Sequence, residues 1–504
     1  MALLSLTESS QPLDHTTEEP IPLKSRRVHV FFEPVLLLVA LIEAVRNTAR
    51  PRAPDPEINC QDPTELFCAF VNKLSHVCDR KKGGKTVTSF VILGDHEVDP
   101  QHAHYVFAMN KQTDSQLQST RAYVKALLRK VDQAPKGQEN QQDARHSLLF
   151  HILRFNRPRV MIYMTKLRAQ AASCLESCQA EATAENDEIA IVLRDLLDIP
   201  ESGSDRQDTE SEYISNCEAT MQLLIRIDRS PAGKLIEDRA LEDRIAGYRS
   251  MECWAELLHT MRRILAYQQS VQFFLLAKEK WPSLFQNPTV DFLGSSRPVP
   301  KPIRNKSLFA ENIVGRMTSD PNVMEIFRQF VRDLQAFDLD ERLRQEYQRD
   351  TFKPTVHAEV LLLDWVWKQS KIAPLSFFIN CTYIGSSKPT CKLCDFYFQI
   401  HKLKIGHRMS HGNLYSSWRV PDVFPQQGEE ALHDRQIMLN GLLDRVRAEA
   451  FDLVSKKAVP SAKVDDSLTA SARMTLCEVG NLHGSNTDAD IDDIASLLGE
   501  VDLS

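Results

Sequence analysis

Four side chains in the last third of the chain have the types and order that metal-assisted hydrolysis requires. His357 and Glu359 stand in "VHAE", and Cys391 and Cys394 in "KPTCKLCDFYF". A catalytic zinc takes three protein ligands and keeps one position open, while a carboxylate outside the ligand set moves protons. His357, Cys391 and Cys394 supply the ligands, and Glu359 supplies the carboxylate. Cys391 and Cys394 share a face in the first turn of a helix, where the positive dipole end and exposed amides favour thiolate over thiol. A rival arrangement joins the same thiols to His401 and His407 as a structural Cys2His2 site. Its interval from Cys394 to His401 is shorter than the roughly twelve residues of a zinc finger. A helix continuing from the thiols would also carry His401 two turns from the metal. A third reading buries the thiols without any ligand.

The elements around these residues are readable. "HAEVLLLDWVWKQ" predicts a helix opening at about Val356, with Pro354 at its start and Val360, Leu363, Val366 and Trp367 keeping the period. "PLSFFINCTYI" reads as a buried strand, and "CKLCDFYFQIHK" as a second helix. A right-handed crossover through that strand sets both helix N-termini at one end of a sheet.

With these motifs in place the chain resembles the cytidine deaminase-like superfamily, whose signature is H-x-E followed by P-C-x-x-C. Within it, "VHAE", "SSKPTCKLCDFYF" and "SHGNLYSSW" resemble the OTT-like deaminase branch expanded in fungi, over about 350–422. One departure is that Thr390 separates Pro389 from Cys391. The resemblance implies an α/β fold, a cytidine deaminase-like α-β-α sandwich in which a helix and a β-hairpin precede the motif helices. It implies Zn2+ on His357, Cys391 and Cys394, with Glu359 as the catalytic proton carrier. The reaction implied is hydrolytic deamination of a cytosine-type base in a nucleotide or single-stranded nucleic acid. Substrate contacts are expected at Asn110, which ends "HYVFAMN", and at Ser387, Tyr415 and Trp418. "HKLKIGHRMSHGNLYSSW" has two readings: Lys402, Lys404 and Arg408 following a phosphate backbone while Tyr415 or Trp418 stacks on a base, or a solvated helix face followed by a strand with core aromatics, which is the more common case for each residue singly. The competing class is a catalytically silent, zinc-stabilised module that serves as a protein-interaction scaffold.

The rest of the 504 residues must supply the missing parts of such a fold. Residues 1–28 mix Pro, Ser, Thr and acids without period and read as a disordered N-terminus. Residues 29–112 carry helices at about 30–48 and 63–80, the second capped by Asp62 with Pro63 in its first turn, then a hairpin at 86–93 and 103–109. Residues 113–349 read as an all-helical insertion, 350–425 as the zinc-motif core, 426–458 as a C-terminal helix and 459–504 as an acidic disordered tail. The insertion or the tail is the expected seat of any protein partner. His102 and His104 share a strand face and read as an exposed pair, His96 carries little signal, and Cys174 and Cys178 read as helix packing.

Composition narrows the partners. The formal charge of −7 gives no long-range attraction to polyanions, so contact with nucleic acid has to be local. Eleven cysteines in no regular framework, with no secretory leader pattern, read as reduced thiols of an intracellular protein of cytoplasm or nucleus. "PVLLLVALIEAV" is interrupted by Glu43 and is shorter than the roughly 20 residues that cross a bilayer, so it reads as a buried helix and no membrane is expected.

Overall fold

The computed structural model describes residues 11–14, 18–45, 58–95, 99–135, 141–179, 183–199, 209–246, 253–302 and 308–456. Helices α1 (Ser25–Val45) and α2 (Pro63–Cys78) precede the hairpin of β1 (Thr88–Asp95) and β2 (Asp99–Met109). Then come α3 (Asp114–Gln133), α4 (Gln141–Gln179), α5 (Ala184–Asp198), α6 (Glu210–Arg229), α7 (Pro231–Ala246) and α8 (Cys253–Lys280). Strand β3 (Thr289–Phe292) leads to α9 (Ala310–Val314), α10 (Pro321–Asp333) and α11 (Leu339–Gln348). The motif region holds α12 (Ala358–Ile372), β4 (Tyr383–Ser386), α13 (Lys392–Ile400) and β5 (Gly406–His407), and α14 (Gly428–Lys456) closes the described chain.

One five-stranded mixed sheet, in the order β3-β2-β1-β4-β5, organises all of this. The β1 strand is antiparallel to both β2 and β4, while β2/β3 and β4/β5 are parallel pairs. Strand alternation gives the hairpin two buried faces. Phe90, Ile92, Tyr105 and Phe107 face α2 and the helices α3–α8, whereas Val91, Leu93, Val106 and Ala108 face α1, α9–α11 and the motif helices. Asp62 caps α2 as expected, accepting from Thr64 N at 2.7 Å and Glu65 N at 3.3 Å. Helix α2 then lies so close to β4 that a Cβ on Gly385 would stand 2.5 Å from Val71 Cγ1.

Several sequence expectations need correction. The 113–349 segment is not all helical, because β3 pairs with β2 in the register His104↔Thr289 to Phe107↔Phe292. Four residues inside a polar break carry too little periodicity to announce a strand, and their partner lies about 180 residues earlier. The insertion is also divided, since α9–α11 pack with α1 on the motif face. The strand expected over "PLSFFINCTYI" is reduced to its end at Tyr383, because Phe378–Asn380 forms a 3-10 turn with positive φ at Ile379 and Asn380. Part of the N-terminal stretch expected to be disordered is ordered. Leu13 N donates to Phe292 O at 2.9 Å, Ile21 N to Val423 O at 2.8 Å, and α1 already begins at Ser25. Residues 1–10, 15–17, His96 and the tail 459–504 lie outside the described residues.

Among the described residues α1 alone is long and apolar enough to cross a membrane by length and composition. Here it is a core helix, with Val35, Leu36, Leu37 and Leu38 fully enclosed.

Candidate metal centre

The crossover sets the N-termini of α12 and α13 against each other. His357 is the N-cap of α12 and Cys391 the N-cap of α13, while Glu359 and Cys394 sit in the respective first turns. His357 Nδ1 lies 3.5 Å from Cys391 Sγ and 3.4 Å from Cys394 Sγ. One donor atom from each of His357, Glu359, Cys391 and Cys394 falls within 4.8 Å of all the others. Cys391, Cys394 and Glu359 are buried, and His357 is half-buried. This cluster can hold a metal ion. The rival site is not assembled, because His407 Nε2 bonds Asp395 at 2.9 Å and His401 Nδ1 accepts from Leu403 N at 3.1 Å.

Neighbouring groups hold both helix starts in place. Asn110 Oδ1 accepts from Ala358 N at 2.8 Å while its Nδ2 donates to Gly84 O at 2.9 Å, so this amide ties the end of β2 to α12 and to the loop before β1. Lys392 N donates to Asn413 O at 2.9 Å. Thr390, which separates Pro389 from Cys391, uses hydrogens that a proline in its place would lack. Its N donates to Met409 O at 3.3 Å and its Oγ1 to Arg408 O at 2.6 Å, which pins the thiol loop to the chain beyond β5.

The electrostatics suit a cation. Burial alone would raise the Cys391 pKa, but the Cys394 hydrogen bond and His357 hold it well below the ordinary thiol value. Burial, then the Cys391 sulfur, keep Cys394 well above it. Burial lowers the His357 pKa, but the charge and hydrogen bond of Cys391 together with the Glu359 charge raise it on balance, and Glu359 is raised by burial. Glu359 Oε2 is buried without a hydrogen-bond partner. Two thiols, an imidazole and an orphaned carboxylate oxygen are a donor set that fits zinc, with three ligands and a carboxylate to spare.

These residues decide the comparison with known proteins. Residues 356–422 match the family of OTT_1508-like deaminases. The matched stretch runs from the residue before His357 to just past Trp418, so it takes in every metal donor of this deaminase-like segment and leaves α1–α11 outside. No curated protein and no solved structure matches the chain significantly.

The other expected contacts divide sharply. Asn110 and Tyr415 line a cavity of about 740 Å³ that opens onto His357, Glu359 and Cys391. Trp418 does not stack towards it: the indole is fully buried, and its Nε1 donates to Cys394 Sγ at 3.1 Å. Ser387 is buried too, donating to Asp79 Oδ2 at 3.3 Å and accepting from Thr88 N at 3.2 Å. Lys402, Lys404 and Arg408 are absent from the cavity wall, bonding instead to Asp434, Gln399 O and Ser386 O. His102 and His104 are not a free exposed pair, for they bond Thr289 Oγ1 at 2.8 Å and Asp291 Oδ2 at 3.0 Å on β3. Cys174 and Cys178 are packing residues of α4, as expected.

Sequence reading missed the charge of the cavity. Nine lysine and arginine side chains line it against four glutamates, in a chain of net charge −7. Lys82 and Lys85 come from "RKKGGKT", the loop from α2 to β1, where a basic run broken by two glycines was a usable signal. Arg159 and Lys166 on α4 and Arg263 on α8 had none, because single cations on long helices look like any solvated face.

Proposed function

We propose that this protein is a zinc-dependent hydrolytic deaminase acting on a cytosine-type base in a nucleotide or nucleic acid, with the deaminase-like α-β-α core built from both sides of the insertion. The observation that carries the reading is Glu359. Its Oε2 is buried without a hydrogen-bond partner beside the three ligands and at the cavity that opens onto them, which is where a proton carrier for a bound water has to stand. The match of 356–422 to a deaminase family supports the same chemistry.

His357, Cys391 and Cys394 would hold the zinc, whose Lewis acidity favours ionisation of a water at neutral pH. Glu359 accepts a proton from the attacking water and passes it to the ring nitrogen next to the amine-bearing carbon. A second transfer through the same carboxylate protonates the amino group, which leaves as ammonia while the ring carbon keeps the water's oxygen as a carbonyl. Asn110 contributes by position, since its bond to Ala358 N fixes the turn that aims Glu359.

The test is Glu359→Gln in the full-length protein. Bound zinc is expected to stay at wild-type stoichiometry, while ammonia release from cytidine, cytidine monophosphate or single-stranded oligonucleotide falls by about 10³-fold, in the range of a lost general acid-base. Zinc without ammonia from wild type on any of these substrates would instead support the silent scaffold.

A further inference from the structure

Beyond the metal cluster the cavity continues between the loop preceding β1 and the insertion helices α4 and α8. Its lysines are of two kinds, and one of them, Lys392, is paired with Glu449. On the outer surface Arg332, Lys371 and Lys402 each reach a carboxylate, at 2.8, 2.9 and 2.7 Å. Lys82, Lys85, Lys111 and Lys166 line the cavity, and among the described residues none of the four is in an ion pair. Lys82 and Lys166 instead meet side chain to side chain with Arg263 nearby, and Lys111 lies beside Lys85. Like charges gathered this way repel unless an anion stands between them.

The carboxylate of the same wall, Glu256, accepts from Gln170 Nε2 at 3.3 Å. Burial first and Lys166 second lower the Lys82 pKa against the pull of Glu256, and burial with Lys85 and Lys353 lowers that of Lys111, so nearby cations outweigh the carboxylate. Between Lys82 and Lys85 the backbone is bare. Gly83 has φ +107°, and a Cβ on Gly83 or Gly84 would meet nothing within 4 Å, so a ligand can approach the loop closely.

We propose that Lys82 and Lys166, with Arg263 beside them, form a subsite for a phosphate group of the substrate, the base lying at Glu359 and the phosphate against the wall that the insertion supplies. The proposal rests on the deaminase reading for the position of the base alone. A cavity of about 740 Å³ is of the size that small-molecule ligands occupy. The insertion thereby selects phosphorylated substrates over free nucleosides. The phosphate belongs either to a mononucleotide or to a polynucleotide backbone, and the two sources are separable.

Calorimetry on full-length zinc-loaded Glu359→Gln protein, in which turnover is suppressed, compares cytidine, cytidine 5′-monophosphate, inorganic phosphate and a nine-nucleotide deoxycytidine-containing strand. A phosphorylated ligand is expected to bind at least about tenfold tighter than cytidine. Lys82→Glu and Lys166→Glu are each expected to remove about tenfold of that, Lys82→Arg and Lys166→Arg to retain it, and Lys402→Glu on the outer surface to change nothing. An effect already present with the monophosphate assigns a mononucleotide. An effect confined to the strand, with the salt slope reduced by about one per lost lysine, assigns a polynucleotide.

Cytidine binding as tightly as every phosphorylated ligand, or charge reversal leaving all affinities unchanged, overturns the subsite. Failure of the deaminase reading looks different. Wild type would then release no ammonia while phosphate binding still depended on Lys82 and Lys166.

Discussion

The two faces of the sheet are built on different plans. On the face holding α12 and α13 polar groups of the motif stretch are satisfied mostly within that stretch, with Asn110 of β2 added from outside it. Ala358 N, Lys392 N, Thr390 Oγ1 and Trp418 Nε1 each have a partner that fixes a metal donor or its neighbour. On the insertion face the long helices α4 and α8 meet α2 and the sheet chiefly through apolar side chains, with few polar anchors. One such anchor is Arg159, which reaches from α4 to Asp79 at the end of α2 at 2.6 Å, both groups buried. Asn156 Nδ2 adds a bond to Val77 O at 2.8 Å. The first plan holds the four residues of the candidate metal cluster together, and the second lines the cavity that opens onto them.

Removing the anchor breaks that contrast most severely. Asp79 is fully enclosed and also accepts from Thr86 Oγ1 at 2.6 Å and Ser387 Oγ at 3.3 Å, so it joins α2, the basic loop and the strand before the thiols. Arg159→Met leaves this carboxylate without its cation and is expected to cost about 3–5 kcal/mol, the usual penalty for half of a buried pair. Urea unfolding of Arg159→Met, Asp79→Asn and the double variant measures it, with the double variant recovering part of the loss. A loss below about 1 kcal/mol would mean that apolar packing alone docks the insertion.

The same contrast explains what the sequence could disclose. The starts of α12 and α13 were legible because caps, period and motif spacing act within a few residues, and their meeting follows from one crossover. Asp62 and Pro63 announced α2 for the same reason. The strand β3 was illegible because "TVDF" gains its partner only when β2 lies alongside it. Ile379, β-branched and at φ 48°, cut short an apolar run that composition assigns to a strand. Trp418 belonged to the right motif, but sequence spacing cannot tell an indole facing a cavity from one packed behind a ligand. The basic wall draws on α4, α8 and the loop before β1, elements that only the tertiary fold assembles.

A smaller effect, on the motif face alone, comes from acid. His401 ends α13, its ring stacked on Tyr397 at 5.6 Å and edge-on to Trp367 at 5.7 Å. Burial pushes its pKa down to about 4. The unfolded chain binds a proton near pH 6.5 where the folded chain does not, so this contribution is complete above 6.5 and is lost as pH falls towards 4. The expected loss is about 2–3 kcal/mol. His401→Phe removes it, so the gap in unfolding free energy between wild type and variant should shrink by that amount from pH 7 to pH 4. A gap that stays constant would mean that His401 is solvated enough to titrate normally.

The finest test concerns how far the metal plan extends beyond its ligands. Trp418 is fully buried, with Phe31 and Tyr397 each 6.1 Å from its ring, and the N–H donated to Cys394 Sγ is its single polar group. A donor aimed at sulfur favours thiolate over thiol and orients the ligand, and partners of this kind typically account for 10- to 100-fold in metal affinity. Trp418→Phe keeps an aromatic ring in the core and deletes the N–H, so zinc affinity measured against a competing chelator should fall about tenfold. Trp367→Phe, a ring that faces His401 and not the thiols, should leave affinity unchanged. Equal affinities in wild type and Trp418→Phe would restrict the metal plan to the starts of α12 and α13, leaving Trp418 to packing. A tenfold loss would make "SHGNLYSSW" part of the metal centre in its own right, through one hydrogen bond that neither the ligand spacing nor the helical period discloses.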